Sequence, residues 1–212
     1  MIQNSTKHLI IGGGIIGCSI AYHLARSGEK DVVLLERESL TEGATWHAAG
    51  LVGQLRSSRN TTRMLQKSVA MYDRLQNDEG FQFDWKKTGS LRLAATKERL
   101  LEAKRLATMA RSFNLDMHII DPAEAKELFP LIDDKGLEGA AFIPSDGYVD
   151  PASLTQAVAG AARKLGVDMR QGVEVLDFKV ADGRVTSVET IEGYWEAQNV
   201  VLAAGMWSRE IG

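Results

Sequence analysis

The first apolar run, His8 to Ile11, stops at Gly12-Gly13-Gly14, and from Ile15 to Arg26 apolar residues recur at helical spacing until Gly28 ends the pattern. This predicts strand, tight turn and helix. The run Asp31 to Glu36 (DVVLLE) is β-branched and leucine-rich with no polar alternation, as expected of a parallel strand covered on both faces. The opening residues therefore read as one strand-helix-strand unit.

From Ser39 to Ser58 the chain is rich in Gly, Ala, Thr and Ser without clear periodicity, and a loop of that length inside a compact domain is more often functional than idle. A helical pattern returns from Thr61 to Leu75. Gly89 to Ala94 alternates like a half-buried strand, and Lys97 to Phe113 is an amphipathic helix. Met117 to Ile120, a short helix Pro122 to Leu128 and a strand around Glu138 to Ile143 continue a mixed pattern unlike the opening unit. Asp150-Pro151 then places an N-cap before a proline at the first helical position, predicting a helix over Ala152 to Leu165 that Gly166 closes. Strands follow at Val167 to Arg170, Glu174 to Val180 and Arg184 to Ile191, the last two joined by Asp182-Gly183, and a final apolar strand runs from Val200 to Ala203. The fold class this predicts is α/β, a doubly wound, Rossmann-like domain from residues 1–84 and 147–212. Residues 85–146 form an inserted, incomplete α+β segment of a second domain.

Composition changes this picture mainly by exclusion. The 212 residues carry a net charge of −3 with scattered basic residues, which leaves no electrostatic footprint for nucleic acid. The single cysteine, Cys18, can form no intramolecular disulfide and no thiolate cluster, so no metal is expected. It reads as a small packing residue. Apolar runs fall far short of the roughly 20 residues that span a bilayer, and the start has no signal-peptide pattern. The expectation is a soluble, cytoplasmic protein, or one of the mitochondrial matrix if a transit peptide has been removed.

Gly12-Gly13-Gly14-Ile15-Ile16-Gly17 fits G-x-G-x-x-G between a strand and a helix, and Glu36 ends the next strand 19 positions after Gly17. Gly12 permits the tight turn, Gly14 lets backbone approach a pyrophosphate, and Gly17 allows close packing of helix on strand, while the helix N-terminus offers N–H groups to the anion. Glu36 would accept hydrogen bonds from ribose hydroxyls. These features predict a dinucleotide site but do not separate NAD from FAD.

Six segments do separate them: GGGIIG at 12–17, VVLLER at 32–37, TEGATWHAAGL at 41–51, TGSLRLA at 88–94, SDGYVDPASL at 145–154 and VLAAGMWSREIG at 201–212. Through these the chain resembles the glycine oxidase and D-amino-acid oxidase superfamily of FAD enzymes, and within it the dimethylglycine and sarcosine dehydrogenase branch. The resemblance implies that Gly12, Gly14, Ile15, Ile16 and Gly17 meet the pyrophosphate and that Glu36 and Arg37 meet the adenosine ribose. It implies that Gly43, Ala44, Thr45, Trp46, His47, Ala48, Ala49, Gly50 and Leu51 wrap the flavin end, with His47 joined covalently to the flavin 8α carbon. Val175 would hold the adenine through its backbone, and Gly205 with Trp207 would close the pocket. The implied activity is oxidation of an N-methylated or secondary amine, such as dimethylglycine or sarcosine, by hydride transfer to flavin, giving an iminium that water hydrolyses.

No residue is assigned as catalytic. Trp46, Trp85, Trp195 and Trp207 are read mostly as packing residues rather than an aromatic box, and Arg56, Arg59 and Arg63 as a solvated helix start. Members of the branch continue past this chain's last motif, often into a folate-binding region, so the chain is expected to be an N-terminal part, a split subunit or a truncated product. A second chain or a missing C-terminal region would then complete the active site, and folate enters only if a C-terminal domain exists. Three readings stay open: the FAD-dependent amine oxidoreductase or its N-terminal piece, a nicotinamide-dependent dehydrogenase, and a non-catalytic flavin-binding subunit completed by another chain.

Overall fold

A computed structural model of the chain describes residues 2–212; Met1, the first residue of the expected cofactor domain, lies outside the described residues. In chain order the elements are β1 (Ile2–Ile11), α1 (Ile15–Arg26), β2 (Val32–Glu36), β3 (Leu51–Val52), α2 (Arg59–Asp73), β4 (Ser90–Ala94), α3 (Lys97–Ser112), β5 (His118–Ile120), α4 (Pro122–Leu128), β6 (Gly139–Ile143), β7 (Gly147–Tyr148), α5 (Pro151–Lys164), β8 (Asp168–Gln171), β9 (Val175–Ala181), β10 (Arg184–Thr190), β11 (Gly193–Leu202) and α6 (Ser208–Ile211). They fall into two compact units, one of residues 1–49, 75–83 and 150–212 and one of residues 50–74 and 84–149.

The first unit is built on a six-stranded sheet in the order β8-β2-β1-β11-β10-β9. Its first four strands are parallel, and β10 and β9 continue it antiparallel. The expected final strand pairs with the first, Leu9 beside Val200 and Ile11 beside Leu202. Strand alternation explains the layers. Leu9, Ile11, Val33 and Leu35 share one core cluster with Val173, Val175, Val188 and Trp195. Ile10 points the other way, under α1, where a Cβ placed on Gly17 would lie 3.5 Å from Ile10 Cγ2. Ile10 and Leu34 are fully buried, each contributing about 1.5–3 kcal/mol relative to exposure.

Both outer strands of the β1–β11 pair are longer than the apolar runs predict. β1 starts at Ile2 rather than His8, and β11 at Gly193 rather than Val200. The polar stretch is held by its neighbours: β1 pairs in register with β11 from Ile2, and Asp31 accepts from Thr6 Oγ1 at 2.8 Å and from the Lys7 N–H at 2.7 Å.

The second unit carries a three-stranded antiparallel sheet, β4-β6-β5, and the short pair β3-β7. Ala103, Ala107 and Ala110 of α3 share a buried cluster with Leu55, Leu115, Met117, Ala141 and Ile143. Small residues on one stripe let the helix lie close to the sheet. Asp146 is 1% exposed and accepts from the Gln54 N–H and Nε2, both at 3.0 Å, and from Ser90 Oγ at 2.7 Å. Residues 50–74 belong to this unit, whereas the sequence pattern left them with the first stretch. The pairing of Leu51 with Tyr148 and the ties from Gln54 to Asp146 explain why. The expected loop of residues 39–58 contains a 3-10 turn, Thr45–His47, as well as β3, and α2 begins two residues earlier than predicted because Ser58 Oγ caps it.

Candidate functional site

The turn between β1 and α1 is fixed by contacts that only glycine tolerates. Gly12 has φ +111°, and a Cβ there would sit 2.5 Å from the Ala203 carbonyl oxygen at the end of β11. A Cβ on Gly17 would collide with the Gly12 carbonyl oxygen. The glycines thus let three strand ends and one helix start converge. The Gly12 N–H donates to the Leu35 carbonyl and the Ala203 N–H to the Ile11 carbonyl, both at 2.8 Å.

Glu36 closes this turn from the end of β2. Its Oε2 accepts from the Gly13 N–H at 2.5 Å and its Oε1 from the Glu38 N–H at 3.0 Å. A carboxylate has about four lone-pair positions, so acceptor capacity remains for hydroxyl groups. The Val173 N–H donates to the Glu36 carbonyl at 2.9 Å, which brings the start of β9 beside the same strand end. Val175 itself is buried in the sheet core opposite Thr190.

Helix α1 begins at Gly14 with no side-chain cap and no acid in its first turn. That leaves a partial positive charge and unpaired N–H groups at the helix start. Thr45 Oγ1 reaches this point, accepting from the Ile15 N–H at 3.1 Å, and a Cβ on Gly14 would lie 3.1 Å from the same oxygen. Ile16 follows on the first turn and is 64% exposed. From Thr45 the 3-10 turn runs into His47, whose ring lies 3.9 Å from that of Trp46 at 33° between planes. Trp46 Nε1 donates to the Glu42 carbonyl at 3.2 Å. His47, Ala44, Ala48 and Ala49 are exposed.

Trp207 joins two further expected residues. The Arg37 guanidinium stacks on its ring at 4.3 Å, and a Cβ on Gly43 would lie 3.1 Å from the ring edge. Gly205 opens the 3-10 turn that carries Trp207 and has φ +56°. Gly50 and Leu51 belong to the second unit, where the Gly50 carbonyl accepts from the Val149 N–H at 2.9 Å and Leu51 is 82% exposed. The contacts of Thr45 with the helix start and of Arg37 with Trp207 carried no signal in the sequence, since each joins residues far apart in the chain.

Cys18 is buried directly after Gly17, and burial pushes its thiol up to about 12. A thiol so held stays protonated and is no nucleophile at neutral pH. Of the other histidines, two have partners the sequence pattern did not reveal: His8 Nε2 lies 3.2 Å from Glu29 and His118 Nε2 3.0 Å from Asp116. Trp85 and Trp195 are buried, Trp46 is 56% exposed, and Arg56 Nη1 donates to the Leu55 carbonyl. Among the described residues no group of three His, Cys, Asp or Glu side chains is placed to hold a metal, and no helix is long and apolar enough to cross a membrane.

The donor set fits a dinucleotide: an uncapped helix start without an acid, a turn with no room for Cβ atoms, and a carboxylate at the second strand end. The family model for FAD dependent oxidoreductases, DAO, matches residues 7–212. The chain belongs to this family. Among its DAO relatives is the mitochondrial dimethylglycine dehydrogenase of Rattus norvegicus, 41% identical over 99% of this chain and 24% of that protein. The mitochondrial sarcosine dehydrogenase of Homo sapiens is 37% identical over 100% of this chain and 24% of its own length. The chain thus spans about a quarter of the length of these relatives. Among solved structures, L-proline dehydrogenase from P. horikoshii matches with a TM-score of 0.91 at 30% identity, over 99% of this chain and 55% of that one. The mixed α/β sheet with its parallel strands is the fold these DAO oxidoreductases share.

Proposed function

We propose that the chain is the cofactor-binding part of an FAD-dependent dehydrogenase or oxidase that acts on an N-methylated or secondary amine of the dimethylglycine and sarcosine kind. The unit of residues 1–49, 75–83 and 150–212 is, in this reading, the FAD-binding part. The observation that carries it is the bond from the Ile15 N–H to Thr45 Oγ1, because it holds the segment bearing His47 against the start of the dinucleotide helix. A histidine on an idle loop would have no reason to be tethered there. The names of the relatives support the substrate class.

FAD, when bound, accepts the hydride from the amine. The chain's own residues hold and orient it. The α1 start, with Gly12 and Gly14 keeping side chains out of the way, receives the pyrophosphate, Glu36 takes ribose hydroxyls on its remaining lone pairs, and Arg37 with Trp207 packs at the adenosine side. Val175 offers backbone to the adenine. Gly43 through Leu51 border the flavin end, where His47 supplies an exposed imidazole for covalent attachment, since a neutral imidazole is a competent nucleophile.

An absorbance spectrum of the purified protein tests the cofactor, with a flavin band expected near the visible blue. Attachment is tested by acid denaturation and gel electrophoresis. Fluorescence should migrate with the protein band and vanish in His47→Ala. Fluorescence that persists in this variant places the bond elsewhere, and protein that yields all its flavin on denaturation removes the covalent role while leaving FAD binding intact.

A further inference from the structure

A second cavity lies at the opposite end of the first unit's sheet from the glycine turn. It has a volume of about 250 Å³ and is lined by Asn4 and Ser5 of β1, Lys30 and Asp31 before β2, Asp168 and Arg170 of β8, and Trp195 of β11. Asn4 precedes Gly12 by eight residues on β1, roughly 25 Å at about 3.3 Å per strand residue. Nothing in the cofactor site reaches it.

The lining comes from four adjacent parallel strands. β8 and β11 are separated by β2 and β1, yet the Arg170 guanidinium lies 4.7 Å from the Trp195 ring. The two long side chains therefore meet above the shorter residues of the middle strands. Trp195 is 2% exposed, and its indole Nε1–H is buried with no acceptor among the described residues. A buried donor left unpaired costs about 1–3 kcal/mol, so such a group normally has a partner.

The charges around the cavity indicate which partner. Asp168 is already taken by Arg170 Nε at 2.9 Å, and both oxygens of Asp31 are taken, by Thr6 Oγ1 and the Lys7 N–H. Lys30 has no ion-pair partner among the described residues. What remains unsatisfied is one neutral donor and one cation, with no free acceptor of opposite charge. A single water could accept from the indole, but it occupies about 30 Å³ and leaves the ammonium unmatched.

The geometry points to a binding site for a small organic carboxylate, which accepts from the Trp195 indole N–H and faces the Lys30 ammonium. The inference is independent of the function proposed for the cofactor site.

The test is a titration of the ¹⁵N-labelled protein with succinate, ionic strength being held constant with sodium chloride, while the four indole N–H signals are followed. The Trp195 signal is assigned by Trp195→Phe, or by sequential assignment if that core substitution does not fold. A saturable shift of the Trp195 signal, with the other three unmoved, is expected. Lys30→Ala, at an exposed position, should weaken saturation at least tenfold. A linear shift equal to that given by chloride, no shift, or unchanged saturation in Lys30→Ala would each overturn the assignment.

Discussion

Glu36 has two tasks at one position: its oxygens accept from the Gly13 and Glu38 N–H groups, and the same carboxylate faces the place where ribose hydroxyls would lie. Glu36→Ala leaves two backbone donors without their acceptor, so it should lower stability by about 1–3 kcal/mol even without cofactor, as read by urea unfolding. Glu36→Gln keeps one acceptor oxygen and should lose less. Equal unfolding curves for wild type and the alanine variant would show that neither bond matters to the fold. Cys18 gives a sharper measurement because it is the chain's single thiol. Burial raises its pKa from 9.0 to about 12, so the folded form holds the proton more tightly than the unfolded form. The resulting stabilisation is fully present below about pH 9 and is lost as pH rises through 12. Iodoacetamide at pH 8 should therefore leave the folded protein unlabelled and label it fully in urea; labelling at equal rates would show that the thiol is open. At this scale the glycine pattern and Glu36 were legible because they obey local spacing. Thr45 at the helix start and Trp207 under Arg37 were not, since each contact needs chain closure over 30 residues or more.

Helix α5 was legible almost to the residue, because its start is written in local chemistry: Asp150 Oδ2 accepts from the Ser153 N–H at 2.7 Å, and Pro151 occupies the first turn. Asp150→Ala should cost about 0.5–2 kcal/mol, while Asp150→Asn should cost less, as chemical denaturation would show. A loss near zero would mean that the packing of Leu154, Ala157, Val158 and Ala161 fixes the helix end without the cap. The strands show the reverse dependence. Nothing in the polar residues before His8 favours a strand, and β1 extends through them only because β11 supplies a partner in register. Short β3 and β7 were unreadable for the same reason. Two residues have no period, and their pairing is set by Lys86 and Tyr148, which exchange backbone hydrogen bonds at 2.9 and 3.0 Å.

At the scale of the whole chain, the first unit is assembled from three separate stretches, and its sheet takes strands from both ends of the sequence. The dinucleotide turn is therefore completed only when Ala203 at the end of β11 meets Gly12 at the end of β1. A ligand that binds this turn binds the folded form alone, and mass action then stabilises the chain. At a free concentration 100 times its Kd the gain is about 2.7 kcal/mol. For a chain of this size each kcal/mol shifts the midpoint by about 2–4 °C, so FAD should raise Tm by roughly 5–11 °C. Glu36→Ala should shrink the shift at the same FAD concentration, because weaker binding lowers the ratio of ligand to Kd. NAD is the discriminating control, since it shares the adenosine and pyrophosphate but lacks the isoalloxazine that residues 43–51 would border. It should give little or no shift at equal concentration. An equal shift from NAD would show that the glycine turn alone supplies the affinity and that the His47 segment adds no selectivity for flavin. No shift from FAD would show that the turn, though formed, does not hold the cofactor in this chain.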